Sequence, residues 1–175
     1  MKKIVFIGIY MLLLVSCKTY LDKNNNNIDN EAFYLEYYED YNKLVYKPTV
    51  GVIMDTEKHN KQHYETKIPK KIINWRIING VFYLEFGSNQ IIIIDAGYSK
   101  PERRKQEWSL SDISSDLINK YMYRYDKNFE EDVKPKKKKT TKLYSDGKTK
   151  IILYNTNSNE FNNYHSLLKS FKYIN

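Results

Sequence analysis

The spacing of apolar residues changes several times along the chain, and each change marks an element. The sharpest pattern lies in residues 70–98. Ile72, Ile73, Trp75, Ile77 and Ile78 run into Asn79-Gly80, the dipeptide that best accommodates a two-residue hairpin turn. Residues 81–86 return, Gly87-Ser88-Asn89 turns again, and residues 90–95 form a third strand, so the region reads as an antiparallel meander. That third strand carries Ile91, Ile92, Ile93 and Ile94 and is apolar on both faces, which predicts a central strand covered from both sides.

Helical and extended periods surround the meander. In residues 30–46, Phe33, Tyr37, Tyr41 and Leu44 recur at helical spacing with Glu31, Glu36 and Glu39 between them; this predicts an amphipathic helix, although Phe33-Tyr34-Leu35 also suits a strand. Residues 50–54 read as a short strand and residues 55–69, being polar, as a loop. Residues 109–122 place Leu110, Ile113, Leu117 and Tyr121 on one stripe, with Ser109 and Asp112 in capping positions, and predict a helix. A basic loop at 134–139 precedes a second hairpin, 142–154, turned at Asp146-Gly147. The chain closes with a helix from about Asn157, Glu160 in its first turn and Phe161, Tyr164, Leu167, Leu168 and Phe171 on its apolar side. Strand runs interspersed with single helices predict an α+β domain: a mainly antiparallel sheet, meander plus C-terminal hairpin, with two or three helices packed on it.

The start of the chain has a different grammar. Lys2-Lys3 precede an apolar run over 4–15 that is too short to span a bilayer comfortably, and small residues follow; this is the pattern of a secretory signal. Leu14-Val15-Ser16-Cys17 resembles the lipobox of bacterial lipoproteins. The resemblance implies that residues 1–16 are removed and that Cys17 is acylated and becomes the first residue of the mature chain. Each acyl methylene buried in lipid contributes about 0.8 kcal/mol, so two or three chains hold a protein firmly. Lys18, where an acidic residue would favour inner-membrane retention in that family, implies the outer membrane facing the periplasm if the host is diderm. The expected organisation is signal peptide 1–16, lipidated cysteine and flexible tether 17–30, and a single domain 31–175. Asp22, Asn24 and Asn26 imitate the opening of a calcium loop, but Asn27 replaces the turn glycine and Phe33 stands where the bidentate glutamate belongs.

Composition adds less. Cys17 is the only cysteine, so no disulfide or thiolate metal site staples the domain. The formal charge of +8 falls by two with Lys2 and Lys3, a moderate surplus suited to an anionic envelope surface, and nucleic acid is not an expected partner of an exported protein. Lys134, Lys136, Lys137, Lys138, Lys139 and Lys142 form the strongest charge feature, readable either as a contact for anionic lipid or as a solvated loop. Seventeen tyrosines suit a half-buried sheet or a binding surface, and base composition accounts for them equally.

Catalytic constellations are sparse. Asp95-Ala96-Gly97 follows an apolar strand, as in retropepsin-like proteases and metallo-β-lactamase-like hydrolases, but Ala96 lacks the supporting hydroxyl of the first and no histidine cluster accompanies the second. The competing reading is that Asp95 caps the turn and Gly97 supplies a positive φ. His59 and His63 are spaced as a helical metal pair but lie in a predicted loop, and His165 has no suitable partner. These observations favour a membrane-anchored, non-enzymatic binding or structural module, contacting an envelope protein, lipid or glycan and needing no cofactor. The alternatives are an immunity protein against an envelope-targeting toxin and a hydrolase with a site near Asp95.

Overall fold

The computed structural model describes residues 29–30, 32–48, 51–54, 57–98, 107–127, 129 and 138–174, of which 29–30, 51–54 and 57–60 are described as backbone alone. The signal segment 1–16, Cys17, residues 18–28 with the calcium-loop imitation, and Lys134, Lys136 and Lys137 lie outside the described residues.

The meander forms as its turns dictate. Strands β7 (Asn74–Ile78), β8 (Val81–Phe86) and β9 (Gln90–Asp95) are antiparallel neighbours. Asn79 and Gly80 both have positive φ, 52° and 71°, the backbone twist that a two-residue hairpin requires. The second hairpin also forms, as β11 (Lys139–Ser145) and β12 (Lys150–Asn157). Asp146 builds its turn by accepting the Lys148 and Thr149 amides at 3.0 and 2.7 Å. Pairing of β12 with β9 joins the two units, and β10 (Ser109–Ser111) completes a six-stranded sheet in the order β10-β11-β12-β9-β8-β7.

The four isoleucines of β9 divide between two cores. Ile92 and Ile94, with Phe82, Leu84, Phe86, Ile151 and Leu153 of neighbouring strands, pack against the core face of a second sheet. Ile91 and Ile93, with Tyr83 and Ile152, pack against Ile118, Tyr121 and Met122 of helix α1 (Ser115–Tyr125). Burial on both faces explains the unbroken apolar run, since each fully buried aliphatic side chain contributes about 1.5–3 kcal/mol.

The second sheet corrects two expectations. Residues 30–46 are not a helix but β2 (Phe33–Tyr37) and β3 (Asn42–Tyr46), which pair antiparallel from Phe33↔Tyr46 to Tyr37↔Asn42. Phe33 and Leu35 are buried while Tyr34 is exposed and Glu36 half-buried, a period of two that the coincidental 33-37-41-44 spacing concealed. Residues 55–69 are not a loop throughout: β5 (Glu57–Asn60) pairs with β4 (Gly51–Met54), and β6 (Tyr64–Ile68) pairs with β3. With β1 (Asp29–Asn30) and β13 (Lys172–Tyr173) the order is β1-β2-β3-β6-β13, so the last two residues of the expected tether already belong to a sheet. On its outer face Lys43 pairs with Glu36 and Glu65 at 3.4 and 3.1 Å, and Lys172 pairs with Glu65 at 2.8 Å, a charge ladder across four strands.

The helix expected over 109–122 begins later. Ser109–Ser111 is the edge strand β10, and Ser114 is the true cap, its hydroxyl accepting the Leu117 amide at 3.3 Å. Helix α2 (Ser158–Leu168) starts where expected, after Asn157. It sets Tyr164 and Leu168 into the inter-sheet core, and Phe171 follows them from beyond the helix end. Two α-helices thus occur among the described residues, and the architecture is α+β, mainly antiparallel.

Candidate functional site

Asp95 lies at the last position of β9, where it meets three partners, one in the adjoining turn and two from distant parts of the chain. The Gly97 amide donates to Oδ1 at 3.2 Å with Gly97 at φ +69°, which is the turn cap expected from the sequence. Lys61, between β5 and β6, donates from Nζ to the same oxygen at 2.7 Å, and Tyr121 of α1 donates to Oδ2 at 2.8 Å. Lys61 is only 3 % exposed; its ammonium also sits 4.2 Å from the centre of the Tyr98 ring. Tyr83 then donates to the Tyr121 carbonyl at 3.0 Å. One carboxylate therefore joins the β5–β6 connection, the end of the central strand and the helix.

Burial pushes the Asp95 carboxyl up, but the Lys61 hydrogen bond and charge, the Tyr121 hydroxyl and the Gly97 amide outweigh it and leave the group below its usual range. Burial, then the negative charge of Asp95, push Tyr121 far up, and burial raises Tyr83 to about 12. General acid–base catalysis at neutral pH works best with a group titrating near 7. Asp95 and these two tyrosines are moved away from that value in opposite directions.

The histidines do not converge. His59 is on β5 and His63 lies just before β6, so the two are not on a helix. His165 of α2 packs between Tyr144 and Phe161, ring centres 4.9 and 5.9 Å away, and its Nε2 is buried without a hydrogen-bond partner. Burial, then the charge of Lys169, lower its pKa. No group of three or more metal-ligating side chains occurs among the described residues.

Of the basic stretch, Lys138 is exposed. Lys139 reaches back to the Ser88 carbonyl at 3.1 Å, and Lys142 pairs with Asp112 at 2.6 Å. Among those three, two have internal partners, and the Lys142 pair, with Asp112 almost fully exposed, contributes at most about 1 kcal/mol. Tyr46, Tyr64, Tyr83, Tyr121, Tyr144 and Tyr164 are buried, whereas Tyr34, Tyr37 and Tyr38 are exposed on the β2–β3 hairpin and Tyr123 is exposed on α1.

A cleft of about 450 Å³ opens between the β2–β3 turn, residues 69–71, the turn after β8 and the first turns of α2. Gln90 anchors its floor, donating to the Gly87 carbonyl at 2.9 Å and Glu160 Oε2 at 3.0 Å while accepting the Asn157 amide at 2.8 Å. Asn157 donates to the same Glu160 oxygen at 2.5 Å. Sequence reasoning missed both Lys61 and this cleft. Each is assembled from residues tens of positions apart, and only the Asn157–Glu160 spacing was visible locally.

No helix among the described residues is long and apolar enough to cross a membrane. No protein-family model, curated protein or solved structure matches the chain.

Proposed function

We propose that the chain is an envelope lipoprotein, acylated at Cys17 and held through residues 18–28, whose α+β domain binds rather than catalyses. The observation that carries this reading is the box Leu14-Val15-Ser16-Cys17 standing behind Lys2-Lys3 and the apolar run 4–15. The domain adds support: both oxygens of Asp95 are engaged in bonds that tie elements together, which fits a structural carboxylate better than a hydrolytic one. In a diderm host the anchor lies in the outer membrane, with the domain in the periplasm.

The β2–β3 hairpin favours a protein partner within that reading. Tyr34, Tyr37 and Tyr38 are 38, 51 and 43 % exposed, and Tyr38 stacks on Tyr41 with ring centres 4.7 Å apart. Tyrosines of this kind supply rigid, amphipathic contact area at low entropic cost, as in antibody paratopes. A toxin acting at the envelope is one such partner, and protection against it is the matching role.

Fractionation and in-cell crosslinking of the full-length protein, with Cys17→Ala as control, test this. The wild type is expected to sediment with membranes and to crosslink one stoichiometric protein, and Cys17→Ala to appear in the soluble fraction without it. Unchanged membrane retention of Cys17→Ala contradicts the anchor; retention lost without any crosslinked protein contradicts the protein partner alone.

A further inference from the structure

The exposed tyrosines of the β2–β3 hairpin stand close to the point where the chain enters the domain, and this limits where they meet a partner. β1 runs antiparallel to β2, with Asp29 opposite Tyr34 and Asn30 opposite Phe33. Traced backwards from Asn30 to Asp29, the chain therefore heads along β2 towards Tyr37 and the hairpin tip. Tyr34 lies directly across from Asp29, and Tyr37 is three residues, about 10 Å, further along. Residues 18–28 separate Cys17 from β1, and a chain covers at most about 3.6 Å per residue, so their span does not exceed about 40 Å. Whichever way the domain turns, the three tyrosines stay within about 50 Å of Cys17.

The groups around the tip discriminate between a lipid and a protein surface. Charges of both signs surround the rings. Glu39, Asp40 and Lys71 are exposed, and Lys70 is drawn onto the carbonyls of Tyr38 and Glu39 at 2.6 and 2.9 Å. Glu36 accepts from the Tyr38 hydroxyl at 2.9 Å and pairs with Lys43 at 3.4 Å. Anionic lipid selects clusters of Lys and Arg, and carboxylates held against its phosphates are repelled. Mixed charge around tyrosine rings is instead the make-up of a protein interface, in which aromatic residues dominate the binding energy inside a polar rim. Tyr38 is already stacked on Tyr41, and Lys67 lies over the Tyr41 ring at 4.3 Å, so part of the patch is ordered before anything docks. The direction of β1 adds the location. The chain leaves on the tip side, so the tip is the end turned towards the anchor. A protein seated in the membrane projects into the gap between domain and bilayer, whereas a partner free in solution has to enter it.

We propose that the hairpin tip docks onto a protein embedded in the same membrane as the anchor, on a part of it that emerges within about 50 Å of the bilayer. The proposal rests on acylation at Cys17 and on the protein partner of the preceding reading. It is tested by photocrosslinking of the full-length protein in cells, from a benzophenone amino acid replacing Glu39 at the tip. The same group replacing Tyr123, exposed on the helix that covers the other face of the six-stranded sheet, is the control. The Glu39 position is expected to capture a protein with membrane-spanning segments, at a peptide flanking one of them, and the Tyr123 position is not. Tyr37→Ser/Tyr38→Ser is expected to lose that product while melting close to wild type, since both rings are exposed. Inserting about 30 Gly and Ser residues between Asn26 and Asn27 is expected to lower the yield about five- to tenfold, as the −3/2 power of tether length. No product from Glu39, a partner without a membrane span, an adduct to lipid alone, or equal capture from Tyr123 overturns the proposal. So does a product that survives the double variant, or a yield unmoved by the longer tether. The intact mass of the bait in the same samples reports acylation: acylated bait with any of these outcomes refutes the docking alone, and unacylated bait refutes the anchor.

Discussion

Lys61→Met is expected to lower the melting temperature by about 6–20 °C, because removing one member of a buried ion pair costs about 3–5 kcal/mol and each kcal/mol moves a domain of this size by about 2–4 °C. Lys61 is 3 % exposed and 2.7 Å from Asp95, whose side chain is 20 % exposed, so the substitution leaves a largely buried carboxylate with its main counter-charge gone. Asp95→Asn is expected to fall in the same range, leaving the ammonium unpaired instead. The double variant Lys61→Met/Asp95→Asn is expected to recover part of the loss, since two neutral groups in place of a buried pair are often tolerated, and the cycle isolates the pair's coupling. A hydrolase with Asp95 at its centre predicts the opposite profile for Asp95→Asn: activity lost, stability nearly intact.

The same pair sets an acid limit. The Asp95 pKa is lower in the folded chain than its ordinary value of 3.8, so the folded state binds fewer protons there than the unfolded state. Its contribution is therefore complete above about pH 4 and is withdrawn as pH falls through the folded value. Chemical denaturation between pH 6 and pH 3 is expected to show wild type losing more stability than the double variant; equal losses contradict the pair's role.

Gly80→Ala is the second large effect. Gly80 has φ +71°, and a Cβ there would lie 2.7 Å from Lys61 Cε and 2.8 Å from Lys61 Cγ. A flexible lysine would swing aside, but this one is held by Asp95. The left-handed backbone costs about 1 kcal/mol and overpacking about 1–3 kcal/mol, so the variant is expected to lose about 2–4 kcal/mol. Gly147→Ala separates the two contributions: its φ is +88° but nothing lies within 4 Å of an added Cβ, so it bears the backbone cost only. Equal losses for the two variants contradict a packed, immobile Lys61. In the Lys61→Met background Gly80→Ala is expected to cost little more than Gly147→Ala.

These effects explain what the sequence made readable and what it hid. The meander was legible because its information is local: Asn79-Gly80 carries the turn, and the isoleucines of β9 carry both of its faces. Helix α2 was legible for the same reason, from Asn157 and Glu160 at its start and a helical apolar period after them. The β2–β3 hairpin was not, since its turn, Tyr38-Glu39-Asp40-Tyr41, lacks glycine, proline or asparagine and its aromatics fit a helical period by coincidence. Strand β6 alternates Tyr64, Thr66 and Ile68 inward with Glu65 and Lys67 between them, a period of two hidden by polar composition. The Asp95 turn cap was visible in the sequence. Lys61 and Tyr121, 34 and 26 residues away, were not, because only sheet pairing and helix packing bring them to that carboxylate.

The proposed anchor depends on one covalent event, so the most direct measurement is the intact mass of the full-length gene product extracted from bacterial membranes, followed by sequencing of its first peptide. The account predicts a chain that begins at Cys17 and carries two or three acyl chains. A chain that begins elsewhere, or one that begins at Cys17 with a free thiol and amine, contradicts it.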